Sequence, residues 1–216
     1  MSAVLIMSKA PRAGAVKTRL EPLLGGEGCA RLQRELVRHT AGWVARTRPR
    51  VWLAFTPPDA REEFAGLIPR RVRLFPQQGG DLGERLRQAS EHVLGRRGAP
   101  LMVIGTDAPE LDAAHLWFAE RELRAGRDAS LVPTVDGGYA LLALARPAPS
   151  AFELPRDAWG GPEVLALTLG ALDAAGLSWA LLEPVRDLDT PEDARHVAAD
   201  PRCPPAVRAL LRGEAA

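Results

Sequence analysis

Short apolar runs recur along the chain, and all but one are followed by a stretch with helical spacing, a helix cap or an irregular segment leading to a helix. They are Ala3-Val4-Leu5-Ile6-Met7, Val51-Trp52-Leu53-Ala54-Phe55, Val72-Arg73-Leu74-Phe75, residues 100–104, 129–132 and 139–144, and Trp179-Ala180-Leu181-Leu182. Between them, residues 27–47 carry Leu32, Leu36, Val37 and Trp43 at helical spacing, and residues 60–65 predict a short helix. Asp81 is placed to cap a helix to about residue 94, and Asp112 one to about residue 125. Further helices are expected over 163–175, from Pro191 after Thr190, and over 205–212. This alternation dictates an α/β fold with a mainly parallel sheet. Asp136-Gly137-Gly138 between two apolar runs is hairpin chemistry, so one antiparallel element is expected in the second half. Residues 147–157 read as irregular, and no repeat or low-complexity linker interrupts the chain. One domain over residues 1–216 is therefore expected.

Bulk properties narrow the function. A net charge of +1 disfavours a broad nucleic-acid footprint. No apolar run approaches the ~20 residues of a membrane span, and the first run lacks the flanks of a signal peptide. Cys29 and Cys203 form no CxxC pair, which disfavours zinc and fits a reducing cytoplasm. His39, His92, His115 and His196 fall within predicted helices at no metal spacing and read as surface or packing residues. No G-x-S-x-G nucleophile elbow occurs.

Among 28 Lys+Arg residues only Lys9 and Lys17 are lysine, and both lie in the loop after the first strand. A compact ammonium is wanted there, where arginine serves everywhere else. A Walker A loop is excluded, because Val16 and Pro11 stand where its glycines would be, and G-x-G-x-x-G is absent. What remains is a loop in which Gly14 permits close backbone approach and Lys17 and Arg19 reach across a di- or triphosphate. Phosphate chemistry usually needs a divalent cation held by carboxylates. Asp107 sits at the mouth of the most apolar strand, in Gly105-Thr106-Asp107-Ala108-Pro109, where it is a candidate ligand or a turn aspartate. Asp187 and Asp189, two apart, share a face if the segment is extended. Glu192 and Asp193 suit the first turn of the following helix and need no other role. Asp81, Glu84 and Arg85 read as a capped, charged helix start.

Taken in order, Lys9-Ala10-Pro11 with Gly14, Val16-Lys17-Thr18-Arg19-Leu20, Asp81-Leu82-Gly83-Glu84-Arg85-Leu86, Ile104-Gly105-Thr106-Asp107-Ala108-Pro109, Asp136-Gly137-Gly138-Tyr139, Trp159 with Val164-Leu165, and Asp187-Leu188-Asp189-Thr190-Pro191-Glu192-Asp193 form a recognisable set. The chain resembles the small bacterial glycosyltransferases of the arsenosugar-biosynthesis type. These share the nucleotide-diphospho-sugar transferase (GT-A) fold with molybdenum-cofactor and phospholactate nucleotidylyltransferases. The resemblance implies a three-layer fold, a nucleotide or nucleotide-sugar donor, a small-molecule acceptor and Mg²⁺ or Mn²⁺. It implies that Lys17 and Arg19 hold donor phosphates, that Asp107 and Asp189, with Asp187, hold the metal, and that Asp136 and Tyr139 face the sugar or acceptor. Where the family often places a second aromatic and a later glycine, this chain has Ala140 and Ala143. Three functions follow: glycosyl transfer with Asp136 as candidate base, nucleotidylyl transfer with release of pyrophosphate, or nucleotide-sugar binding without catalysis.

Overall fold

The computed structural model describes residues 2–97 and 100–213, and for residues 96 and 97 the backbone only. Seven strands, β1 (Ala3–Lys9), β2 (Val51–Thr56), β3 (Arg73–Pro76), β4 (Leu101–Ile104), β5 (Ala129–Pro133), β6 (Tyr139–Leu144) and β7 (Trp179–Leu181), form one sheet in the order β3-β2-β1-β4-β6-β5-β7. All pairs are parallel except those of β6, which runs antiparallel to both β4 and β5. The expected hairpin is present, and its second strand enters the sheet between β4 and β5. The helices are α1 (Glu21–Thr47), α2 (Arg61–Ala65), α3 (Leu82–Arg97), α4 (Ala113–Arg124), α5 (Val164–Ala174), α6 (Pro191–Ala199) and α7 (Pro205–Leu211). Helix α1 breaks at Gly25, whose φ of 66° and ψ of 166° are not helical, so its regular part begins close to the residue the sequence pattern marks. Residues 149–152 and 156–158 form short 3₁₀ turns within the segment read as irregular.

Side-chain alternation along the strands explains the layers. Val4 and Ile6 pack with α1, α2 and α4 on one face, while Leu5 and Met7 pack with α3 and α5 on the other. Central strands buried on both faces must be apolar, and β4 is throughout, as is β1 from Ala3 to Met7 before it ends at Ser8 and the exposed Lys9. A third cluster joins α1 (Cys29, Leu32, Leu36) to α6 and α7 through Leu188, Val197 and Val207. It ties the last third of the chain to the loop after β1. Asp112 caps α4 and Thr190 caps α6, each through a reciprocal capping box. Strand order reverses between β1 and β4, and ligands of open α/β sheets bind in the crevice at such a switch point.

Candidate functional site at the switch point

The loop after β1 is built from local constraints. Gly14 takes a φ of 74°, with nothing within 4 Å of the position a Cβ would occupy. The glycine therefore serves the turn's conformation; close approach is not its reason. Val16 and Leu20 are buried anchors. Arg12 ties the loop to Glu63 (2.9 and 2.6 Å) and Asp59 (3.1 Å). Lys17 is the one described non-glycine residue with positive φ, at 52°. Such a backbone costs on the order of 1 kcal/mol and persists only where the surroundings enforce it. Here they do: Lys17 Nζ pairs with the Asp107 carboxylate and donates to the Leu188 carbonyl at 2.6 Å. The Leu188 amide in turn donates to the Asp107 carbonyl at 2.8 Å. Three segments distant in sequence thus meet on one ammonium.

Two cavities flank this junction, and Asp107 lines both. The smaller, about 210 Å³, is lined by Lys9, Lys17 and Arg19 together with Thr106, Asp107 and Asp189. Arg19 pairs with Asp189 at 2.9 Å. The buried Gln33 of α1 closes its floor, donating to Ser8 Oγ (3.2 Å), the Lys9 carbonyl (3.2 Å) and Thr106 Oγ1 (3.3 Å). Sequence reading missed Gln33; a polar residue between Leu32 and Leu36 on an otherwise apolar helix face was its signal.

The larger cavity, about 310 Å³, lies between the start of α3, the end of β4, the β5–β6 turn and the segment before α5. Leu82, Leu86, Tyr139 and Trp159 give it an apolar wall, and Asp107, Asp136 and Asp187 face it. Gly83 lets the wall close up, since a Cβ there would lie 2.5 Å from the Trp159 indole nitrogen. Gly137, with φ of 93°, presses the turn against Pro162, whose carbonyl would be 2.0 Å from a Cβ. Asp136 Oδ1 accepts from the Thr134 hydroxyl and from the Gly138 amide (3.1 Å), so this residue both shapes the turn and faces the cleft. Tyr139 presents its ring: its hydroxyl is buried beside Thr168 with neither completing a normal hydrogen bond, and burial pushes its pKa up. Tyr139 therefore lines the cleft with its ring and not with its hydroxyl.

Asp187 and Asp189 do not share a cavity. Leu188 between them is fully buried and pinned at both its amide and its carbonyl, and the carboxylates on either side serve different cavities. Among the described residues no three His, Cys, Asp or Glu side chains lie close enough to cage a metal ion. Asp107, Asp187 and Asp189 are accordingly not a three-carboxylate cluster. Asp187 Oδ1 is buried without a hydrogen-bond partner. Burial first, and the Asp136 carboxylate second, raise the Asp187 pKa to about 6. Asp81 and Glu84 form the capped helix start that the sequence predicts, because Asp81 Oδ1 accepts the Glu84 amide at 2.8 Å. His115 completes the α4 cap and His92 stacks on Phe75 at 4.2 Å, so both have packing or capping roles.

A family described only as uncharacterized proteins conserved in bacteria (DUF2064) matches residues 40–160. The chain belongs to that family. The matched span holds Asp107, Asp136 and Tyr139 and leaves Lys17 and Asp187 outside it. No curated protein matches in sequence. A crystal structure from Desulfovibrio desulfuricans G20, provisionally described as a nucleotide-diphospho-sugar transferase, is similar with a TM-score of 0.87 and 28% identity, covering 99% of this chain and 95% of that one. The synthetase of CMP:2-keto-3-deoxy-manno-octonic acid, complexed with CTP, has a TM-score of 0.59 at 13% identity over 99% of each chain. Molybdopterin-guanine dinucleotide biosynthesis protein A from Archaeoglobus fulgidus has a TM-score of 0.53 at 14% identity over 90% of this chain and 95% of its own. The last two share the fold. The likeness to arsenosugar-type enzymes is not among these matches. Among the described residues no helix is long and apolar enough to cross a membrane.

Proposed function

We propose that the protein is a transferase acting on a nucleotide-activated donor, and that it moves a glycosyl group from a nucleoside-diphosphate sugar with the aid of Mg²⁺ or Mn²⁺. One observation carries this reading: the Lys17 side chain is only 6% exposed, and its ammonium is fixed between a carboxylate and a carbonyl at the boundary of a cationic and an anionic cavity. The donor set fits a hard cation. Asp107 and Asp187 face one cleft, one of their oxygens is buried and unpartnered, and ligand phosphate would complete a shell that protein alone leaves open. Asp107 and Asp187 would hold the ion, with Asp189 and Arg19 at the edge of the smaller cavity. Bound there, the cation would neutralise charge on the diphosphate.

Lys17, Arg19 and Lys9 hold the diphosphate in the smaller cavity and stabilise negative charge as it develops. The donor's anomeric C–O bond breaks, its electron pair leaving on the diphosphate. The acceptor oxygen forms the new bond to the anomeric carbon, and its proton passes to Asp136. Asp136 is held for this task by the Thr134 hydroxyl and the Gly138 amide on one oxygen.

A second reading is nucleotidylyl transfer, in which a phosphorylated acceptor attacks the α-phosphate of a nucleoside triphosphate and pyrophosphate leaves. Its support is the whole-chain likeness to a synthetase found with CTP. A thermal-shift screen of nucleoside triphosphates and nucleotide sugars, with and without Mn²⁺, tests the shared core of both. Stabilisation is expected to need ligand and metal together, and to be lost in Lys17→Ala and Asp107→Ala. Unchanged shifts in those variants would count against the site. Pyrophosphate release from a triphosphate would favour the second reading over the first.

A further inference from the structure

The two cavities meeting at Asp107 differ in charge. The smaller one has Lys9, Lys17 and Arg19 in its lining. Among the described residues, the larger one has no Lys, Arg or His in its lining, and Asp107, Asp136 and Asp187 are its charged residues. Three basic side chains that contact the lining or stand close to it in sequence have other partners. Lys17 meets Asp107 from the neighbouring cavity, Arg156 pairs with Asp81 at 3.4 Å, and Arg186 pairs with Asp193 at 2.9 Å. A divalent cation on Asp107 and Asp187 would balance those two carboxylates and be matched in turn by the donor diphosphate. Asp136 would stay as uncompensated negative charge.

We infer that the larger cavity takes a small acceptor that is neutral or cationic, a hydroxyl- or amine-bearing molecule with an apolar ring face, and that it rejects phosphorylated acceptors. The inference rests on the transferase reading above and deepens it. Three observations carry it. The volume of about 310 Å³ is at the low end for ligand pockets, which suits a single ring-sized molecule. The Trp159 and Tyr139 rings supply flat apolar surface, and the buried Tyr139 hydroxyl leaves that ring no polar role in the cleft. With a divalent cation committed to Asp107, Asp187 and the donor diphosphate, an anion placed there would face the Asp136 carboxylate with no described Lys, Arg or His of the lining to answer it, whereas a site made for a phosphorylated acceptor needs arginine or lysine at that end. A hydroxyl can instead donate to Asp136, and an ammonium gains from its uncompensated charge.

Fluorescence quenching of Trp159 tests the charge of the cleft in the unliganded protein. The Trp159 signal is the difference between the wild type and Trp159→Phe, with acrylamide as the neutral reference. Caesium is expected to quench it several-fold more effectively than iodide, and Asp136→Asn to narrow that ratio. Iodide quenching equal to or above that of caesium would overturn the inference. A second arm supplies Mn²⁺ and a panel of nucleoside-diphosphate glucoses, with methyl glucoside, glucosamine or glucose 6-phosphate as acceptor. Product from the first two is expected at rates at least roughly tenfold above the third. If nucleotide binds but glucose 6-phosphate is preferred, the inference falls while the nucleotide site stands. If no nucleotide stabilises the protein, the transferase reading fails, and with it the acceptor role; the quenching ratio then still decides the sign of the cleft.

Discussion

Two semi-buried ion pairs sit at opposite edges of the sheet, and they have opposite characters. At the amino ends of the strands, Arg48 and Glu120 pair at 2.7 Å, with each side chain 8% exposed. Glu120 also accepts from the Ser2 amide (2.8 Å) and the Ser2 hydroxyl (3.0 Å). At the carboxyl ends, Lys17 pairs with Asp107, but Asp107 is 55% exposed, Lys17 has a left-handed backbone, and nearby Asp187 has a bare buried oxygen. The first pair is satisfied and joins β1, α1 and α4. The second is left incomplete, in a place where a ligand could complete it. Polar burial that is saturated holds a fold together; polar burial that is left open is a candidate place for a ligand to meet the fold.

The largest effect that would break this contrast belongs to the amino edge. Glu120→Ala strands the Arg48 guanidinium and is expected to cost about 3–5 kcal/mol in urea unfolding at neutral pH. Burial alone would raise the Glu120 pKa, yet the hydrogen bonds from Arg48 and Ser2 hold it at about 2, below the usual 4.5. Its contribution is therefore complete above pH 4.5 and is lost as pH falls towards 2. A wild-type acid-unfolding curve that Glu120→Gln leaves unmoved would show that the pair is not structural.

Asp187→Asn sharpens the comparison with the opposite sign. The folded state favours protonated Asp187, because its pKa rises from 3.8 to about 6. Its contribution is complete below pH 3.8 and is lost as pH rises through 6. The Asn variant should thus be more stable than wild type at pH 8, by about 1 kcal/mol after screening of this partly buried group, and equal to it near pH 4. The same variant should lose metal-dependent nucleotide stabilisation. Lower stability at pH 8 would place Asp187 with the saturated, structural carboxylates. The smallest effect on stability is expected for Arg19→Ala. Arg19 is 69% exposed and its partner Asp189 40%, so its unfolding free energy should change by less than about 0.5 kcal/mol. Its affinity for a nucleoside diphosphate should nevertheless fall roughly tenfold in calorimetry.

What could be read before folding was local. Caps at Asp112 and Thr190, the turn at Asp136-Gly137 and the strand runs each depend on a few adjacent residues, and each is where the pattern puts it. The placement of β6 between β4 and β5 was not legible, because pairing partners far apart in sequence leave no periodic mark. Lys17 drew notice by its residue type, but its backbone conformation and its Leu188 contact arise from tertiary context. The spacing of Asp187 and Asp189 misled for a related reason: period-two alternation describes a regular strand, and this segment is held at Leu188 by two neighbours. Leu82 and Leu86 read as ordinary helix residues, and only the packing of Trp159 over Gly83 makes them a wall of the cleft.

The contact between Lys17 and the Leu188 carbonyl spans 171 positions of sequence. During synthesis the loop that bears Lys17 leaves the ribosome early, long before the carbonyl that fixes it exists. A growing chain can thus carry its cationic loop past a cell's nucleotides without yet having a place to hold them, and competence should arrive abruptly near the end of translation. Nucleotide capture with metal by ribosome-bound chains stalled before residue 185 would contradict that timing.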